Sequence, residues 1–465
     1  MASVQNKILI IVFTLLLFAS IASAQTFESE ELKQLWDVPT SEVKSVTLKT
    51  YSREGIKVEE LYYYSRSYKR APSRIFGYYC YPVKHSGKLP AILLSHGGGG
   101  SASLPRAISW AKRGYAVLTI DLPGKGENRA CSRSTGPDMI VANLLRTQPD
   151  LSYNYLVHAV AAARNGITFL SNRKEVDPQR IGMIGLSWGG VLTILTNGMD
   201  DRLKAAVNVF GAGYIPEGCT WEEIFTAMPA NDKDLWNNFL DPKNFLATQH
   251  APILFITGTN DHCYYLTTFQ KSYEDVTAPK KFLLIPNLRH KFTPLVQAPA
   301  LVWLDQKLKN GGTFPVINEL PVFTKGSDKI LLSCRVEVHS TVKSAKLYYT
   351  LGGPQGWTGK KWKELPSYQE NGTYFFPIPT TLLKPEIMYY LTVKDNHGGG
   401  TSTLVRSLFA VKLKDGRKTY AYTAPIKRIY RHQTPITLIG TTESKNIGYV
   451  YSKPDLAYLP YELPN

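Results

Sequence analysis

Ser187, Asp261 and His290, in that chain order, are the residues here whose types and spacing can do chemistry together. Ser187 is the centre of Gly185-Leu186-Ser187-Trp188-Gly189, set between an apolar strand run (Ile181, Met183, Ile184) and an apolar helical run (Val191, Leu192, Ile194, Leu195). A GxSxG pentapeptide at a strand-to-helix junction lifts the serine hydroxyl above the end of a parallel sheet, and its glycines let the chain cross itself closely. Such a hydroxyl needs a base to take its proton and a carboxylate to orient that base. Asp261 lies four residues beyond the strand run PILFIT, and His290 lies five beyond KFLLI. Both therefore fall in loops past late strands, where an acid and a histidine are required. His262 adjoins Asp261 and should point elsewhere. His250 precedes its strand, Asp121 precedes the serine, and His158 lies within a helical run.

The acyl oxygen of a tetrahedral intermediate needs main-chain N–H donors. Leu89 to Ser95 reads as a strand buried on both faces, and it runs directly into His96, Gly97, Gly98, Gly99 and Gly100. That loop is expected to supply one donor, from Gly97 or Gly98, while Trp188, the residue after the serine, supplies the other. His96 is expected to hold the loop in shape.

The elements that must position these groups alternate along the chain. Three β-rich runs (45–51, 57–64, 74–81) lead in, followed by strand and helix runs in turn up to Leu308. This pattern predicts an α/β unit with a doubly wound, mostly parallel sheet over residues 25–314. An insert at 211–250, holding Trp221, Phe225, Met228, Trp236 and Phe239, is expected to act as a cap, with Trp221 and Trp236 against the substrate pocket. From Val316 the pattern changes to short strands with turn residues and no helices, which predicts an all-β sandwich of immunoglobulin-like type at 315–415. Trp357, Trp362 and Tyr368 would suit a carbohydrate-binding face if exposed, although packing and spacing is the simpler role. Residues 416–465, rich in Tyr and Pro, are expected to form a tail over the surface.

Residues 1–24 have the pattern of an export signal: Lys7, an apolar run from Ile8 to Ala19, then Ala22, Ser23 and Ala24 before an expected mature start at Gln25. The apolar run is short for a membrane span, so no integral segment is expected after its removal, and the destination is secreted or periplasmic. The formal charge is +17, and from Val316 onward there are 20 Lys/Arg against 11 Asp/Glu. No arginine block or aromatic-basic motif accompanies that charge, so nucleic acid is not an expected partner. The five cysteines, Cys80, Cys131, Cys219, Cys263 and Cys334, show no paired CxxC spacing, and no HExxH is present; neither metal nor cofactor is expected.

In PAILLSHGGGG, VDPQRIGMIGLSWGGVLTILTNGMDDRLKAAVNVFGAGY, ITGTNDHCYY and IPNLRH, spanning Leu89 to His290, the chain resembles the α/β-hydrolases of the acetyl xylan esterase, dienelactone hydrolase and prolyl-oligopeptidase-like branch. The likeness is greatest to bacterial exported acetyl xylan esterase-like proteins and the PhoPQ-activated pathogenicity-related group. Glucuronoyl esterases fit less well, since their serine follows a cysteine. The resemblance implies Ser187, Asp261 and His290 as a triad, Trp188 with Gly97 or Gly98 as oxyanion donors, and ester hydrolysis, often on plant or algal polysaccharide. The expected function is thus an exported serine carboxylesterase removing acetyl or other small acyl groups from carbohydrate through an acyl-enzyme. A serine exopeptidase of prolyl-oligopeptidase type is the alternative, with Glu217, Glu222 and Glu223 as a patch for a peptide amino terminus.

Overall fold

The structure is a computed structural model that describes residues 34–126, 133–318, 322–384, 386–412, 418–426, 433–439 and 447–450. The expected export signal, Cys131 and much of 416–465 lie outside them. The chain divides into an amino-terminal unit, residues 1–37, of which a helical turn is described, and a second unit from Val38 onward.

The second unit is built on a nine-stranded sheet in the order β1-β2-β3-β5-β4-β6-β7-β8-β9. Its strands are β1 Ser45–Arg53, β2 Ile56–Tyr68, β3 Ala71–Pro82, β4 Leu89–Ser95, β5 Ala116–Ile120, β6 Val176–Leu186, β7 Leu203–Val209, β8 Ile253–Gly258 and β9 Lys280–Ile285. The first three pair antiparallel and β3 joins β5 antiparallel; from β5 onward every pairing is parallel. The buried stretches of the parallel strands, such as Ala91–Leu94 and Ile253–Ile256, are apolar because helices cover both of their faces. Side chains alternate across the sheet. Ile92 and Leu94 of β4 join the core made with α1 (Leu104–Ala111). On the opposite face Leu93 reaches α2 (Tyr155–Ser171), where a Cβ added at Gly166 would lie 3.2 Å from it.

Parallel strands require crossovers, and each crossover returns the chain to the bottom of the sheet. The loops at the carboxyl ends of β4, β6, β8 and β9 therefore cluster at one end. The insert between β7 and β8 carries α4 (Glu222–Ala227) and α5 (Ala230–Phe239), after α3 (Trp188–Met199). It closes on itself at Asp241, whose carboxylate accepts the N–H groups of Tyr214, Ile215 and Lys243 at 2.8, 3.1 and 2.8 Å. The final elements of this layer are α6 (Leu266–Asp275) and α7 (Pro294–Lys309).

Two antiparallel sheets follow and form a β-sandwich. One contains β10 (Lys329–Glu337) and β12 (Thr373–Pro379); the other contains β11 (Val342–Leu351), β13 (Glu386–Asp395) and β14 (Arg406–Lys412). Ile330, Leu332, Phe376 and Ile378 of the first meet Leu347, Ile387, Tyr389 and Leu391 of the second in a shared core. Instead of only running over the surface, residues of the carboxyl-terminal segment extend this second sheet: Lys418–Thr423 pairs with β14, Gln433–Leu438 with Lys418–Thr423, and Ile447–Val450 with Gln433–Leu438.

The proposed glycan-binding aromatics are not an exposed platform. Trp357 and Trp362 are 5% and 3% exposed: the first packs on Tyr265, the second on Tyr390. Only Tyr368 is exposed, stacked on Phe375. Their apolar rings are consumed by packing. Among the described residues no helix is long and apolar enough to cross a membrane.

Candidate functional site

Ser187 joins β6 to α3 with φ 58° and ψ −119°, a conformation an ordinary residue adopts only when its surroundings force it. The surroundings do so. Its N–H donates to Val209 O at 2.8 Å and its carbonyl accepts from Val191 N–H at 3.0 Å, which ties the turn to β7 and to the first turn of the helix. Any side chain at Gly185 would collide with the main chain of Gly189, and a Cβ at Gly189 would stand 2.5 Å from Ser95 O. The glycines of the pentapeptide thus answer to close chain crossing.

The glycine loop after β4 passes directly beside the serine: a Cβ at Gly97 would lie 2.8 Å from Ser187 Cβ and 2.7 Å from Leu186 O. His96 braces this loop. Its Nε2 accepts from Leu122 N–H at 3.0 Å, which assigns the proton to Nδ1, and Nδ1 donates to Gly97 O at 2.7 Å. Burial holds its pKa below the usual histidine value, which favours this neutral form. Asp121 fastens the neighbouring loops by accepting the N–H groups of Ala102 and Arg133.

Asp261 is fully buried beyond β8, and His290 stands beyond β9 with Nδ1 at 3.0 and 2.9 Å from its two carboxylate oxygens. The carboxylate also accepts Cys263 N–H and Tyr264 N–H at 2.8 and 3.2 Å. Burial pulls the His290 pKa down, but the bonds to Asp261 and to the Cys263 side chain outweigh it and raise the value to about 9. Phe210 packs on the imidazole with ring centroids 4.8 Å apart, and does so from a left-handed backbone, φ 67°. Ser187 bonds Val209, and the next residue, Phe210, lies on His290; serine and histidine therefore flank one corner of the sheet.

Trp188 opens α3 beside the serine. Its ring is 5.1 Å from Trp221 and 6.0 Å from Tyr264, and Tyr264 is in turn 6.2 Å from His290. Trp221 thus belongs to an aromatic wall joining serine and histidine. Trp236 does not: it is fully buried against Phe225, with its indole N–H on Leu144 O at 3.0 Å, so it packs the insert from within and has no exposed surface to line a pocket.

Sequence reading missed Phe210, Tyr264 and Cys263. A Phe immediately before the Gly211-Ala212-Gly213 run at the end of β7, and the aromatic pair after Asp261, were the available signals. Asp261, His262 and Cys263 each offer a donor atom, all within 4.8 Å of one another. Because the Asp261 oxygens already serve His290 and two amides, a cation there would compete with the histidine pair rather than fill a prepared site.

The family model described as Acetyl xylan esterase (AXE1) matches residues 22–307. The chain belongs to this family. Curated relatives include the acetyl esterase Axe7A of Xylanibacter ruminicola, 26% identical over 50% of this chain and 56% of that protein. Another is the putative hydrolase YtaP of Bacillus subtilis, 30% identical over 39% of this chain and 63% of that protein. The chain thus spans somewhat over half of the length of these two relatives. Among solved structures, acetyl xylan esterase 1 of Thermoanaerobacterium is 18% identical with a TM-score of 0.51, covering 59% of this chain and 93% of that one. The acetyl xylan esterase of Paenibacillus is 21% identical with a TM-score of 0.52, covering 60% and 93%. At these identities the likeness establishes the fold alone, that of an α/β-hydrolase.

Proposed function

We propose that this member of the acetyl xylan esterase family is an exported serine carboxylesterase that removes acetyl or other small acyl groups from carbohydrate. The observation that carries the reading is the buried Asp261–His290 pair, 2.9 Å at its closest, facing the corner from which the Ser187 turn rises.

In this reading Asp261 occupies His290 Nδ1, which leaves Nε2 to exchange protons with the serine. His290 Nε2 takes the hydroxyl proton as Ser187 Oγ attacks the acyl carbon. The carbonyl oxygen becomes an oxyanion held by Trp188 N–H and by Gly97 or Gly98 N–H. The C–O bond to the sugar breaks, His290 returns the proton to the departing sugar hydroxyl, and an acetyl group remains on Ser187. Water, deprotonated by the same nitrogen, then releases acetate. Trp188, Trp221 and Tyr264 would form the wall of a pocket for a small acyl group. Residues 1–24 would direct export, 25–314 would be the catalytic domain, and the remainder a sandwich with its tail.

The peptidase reading loses part of its support because Glu217 is taken up by Lys271, Oε2 to Nζ 2.8 Å. Acetate release from acetylated xylan oligosaccharides, measured beside cleavage of amino-terminal dipeptide anilides, separates the two. Acetate release without anilide cleavage supports the esterase, and the reverse result overturns it.

A further inference from the structure

The loops that carry Asp261 and His290 are held by the sandwich. Asn260, immediately before Asp261, donates through Nδ2 to Thr358 O at 2.9 Å and to Lys360 O at 2.8 Å. Asn287, in the loop leading to His290, donates to Trp362 O at 2.9 Å and accepts Trp362 N–H at 2.8 Å. The two loops are also joined to each other: Asn287 N–H donates to Thr259 Oγ1 at 2.7 Å, and Thr259 Oγ1 donates to Asn260 Oδ1 at 2.6 Å. One short stretch of sandwich main chain, Thr358 to Trp362, therefore receives both loops.

The stretch is itself anchored. Trp362 is buried with its ring 5.2 Å from that of Tyr390 on β13, and Trp357 packs on Tyr265, just past the Asp261 loop. Asn287 has φ 58°, a left-handed conformation that asparagine tolerates better than other side chains, and this presents its amide edge to Trp362. Paired donor and acceptor bonds to a buried main chain fix both distance and orientation, because losing either partner leaves a desolvated polar group.

We infer that the sandwich stretch Thr358 to Trp362 is part of the catalytic framework, and that Asn260 and Asn287 are positioning residues through which it sets the Asp261–His290 geometry. This rests on the reading of those two residues as acid and base. It assigns the sandwich a task that a spacer would not have: without it, the loops past the last two strands of the sheet would lose their outer support.

The test compares Asn260→Ala, Asn287→Ala and Asn287→Asp with Gln270→Ala in the full chain. Gln270 also ties the hydrolase layer to the sandwich, through Ile426 O at 2.7 Å and Val405 N–H, but from within α6 rather than from either loop. Misplacing a reacting group by about 1 Å costs on the order of 10²-fold, so the alanine variants should lose kcat on about that scale with KM little changed. The acid limb of their pH profiles should move towards the ordinary histidine value as the pairing with Asp261 loosens. Asn287→Asp, which keeps the acceptor for Trp362 N–H, should fall between, and it serves with Asn260→Ala should Asn287→Ala not fold. Gln270→Ala should lower Tm and leave kcat and the pH profile alone. Equal kcat in the asparagine and Gln270 variants, with only Tm reduced, would overturn the inference while Ser187→Ala remains inactive. Activity surviving in Ser187→Ala would overturn both the inference and the triad on which it rests.

Discussion

Gly97 passes Ser187 so closely that a single added methyl group would sit 2.8 Å from the serine Cβ. The obstruction is main chain on one side and the serine itself on the other, so neither can yield without moving the turn. Gly97→Ala is expected to cost roughly 1–3 kcal/mol of stability by overpacking and, because the turn that carries the serine must shift, to lower kcat by about tenfold or more. Steady-state kinetics beside a thermal melt checks it; unchanged kcat would mean that the loop has slack.

The Asp261–His290 pair predicts an alkaline acid limb. The reaction needs neutral imidazole, and the His290 pKa is held at about 9, so kcat/KM should rise as pH passes through that value rather than through the ordinary value of about 6.5. The raised value also contributes stability, fully present below the unfolded pKa and lost as pH rises through about 9. Cys263→Ala removes one of the contacts that raise it and should move the limb to lower pH. A limb near the ordinary value in both proteins would contradict this account of the pair.

Phe210 sets a strained backbone against a buried ring. Phe210→Gly relieves a left-handed conformation costing about 1–3 kcal/mol but deletes a fully buried aromatic, a loss of about 3–5 kcal/mol. The packing loss should win, so Tm and kcat both fall as His290 loses its neighbour. A variant more stable than the parent would show that strain dominates.

Trp221 and Trp236 should separate cleanly. Trp236→Ala empties a buried site and is expected to cost about 3–5 kcal/mol of stability. Trp221→Ala, on the half-buried wall beside Trp188, should change KM and acyl-chain preference with little change in Tm. Denaturant melts and a series of acyl-chain lengths measure the two effects.

The contrast between these tryptophans shows how much was legible in the sequence. The sheet, the serine turn and the loops that carry Asp261 and His290 each follow from local signals: apolar runs, a GxSxG junction, and a carboxylate or histidine just beyond a strand. The inward turn of Trp236 and the burial of Trp357 and Trp362 depend on which surface each meets after folding, and an aromatic residue reads the same in sequence whether it faces solvent or a neighbour. The ties from Asn260 and Asn287 to the sandwich were equally illegible. They join positions far apart in the chain, and an asparagine at the edge of a loop looks like any turn residue.

The most direct test of the central claim is a serine-directed phosphonate probe applied to the parent, Ser187→Ala and His290→Ala, with the labelled peptide identified by mass spectrometry and acetate release measured on the same samples. The account predicts labelling at Ser187 in the parent, none in Ser187→Ala, strongly slowed labelling in His290→Ala, and acetate release lost in both variants. Acetate release persisting in Ser187→Ala, or labelling at another serine, would contradict it.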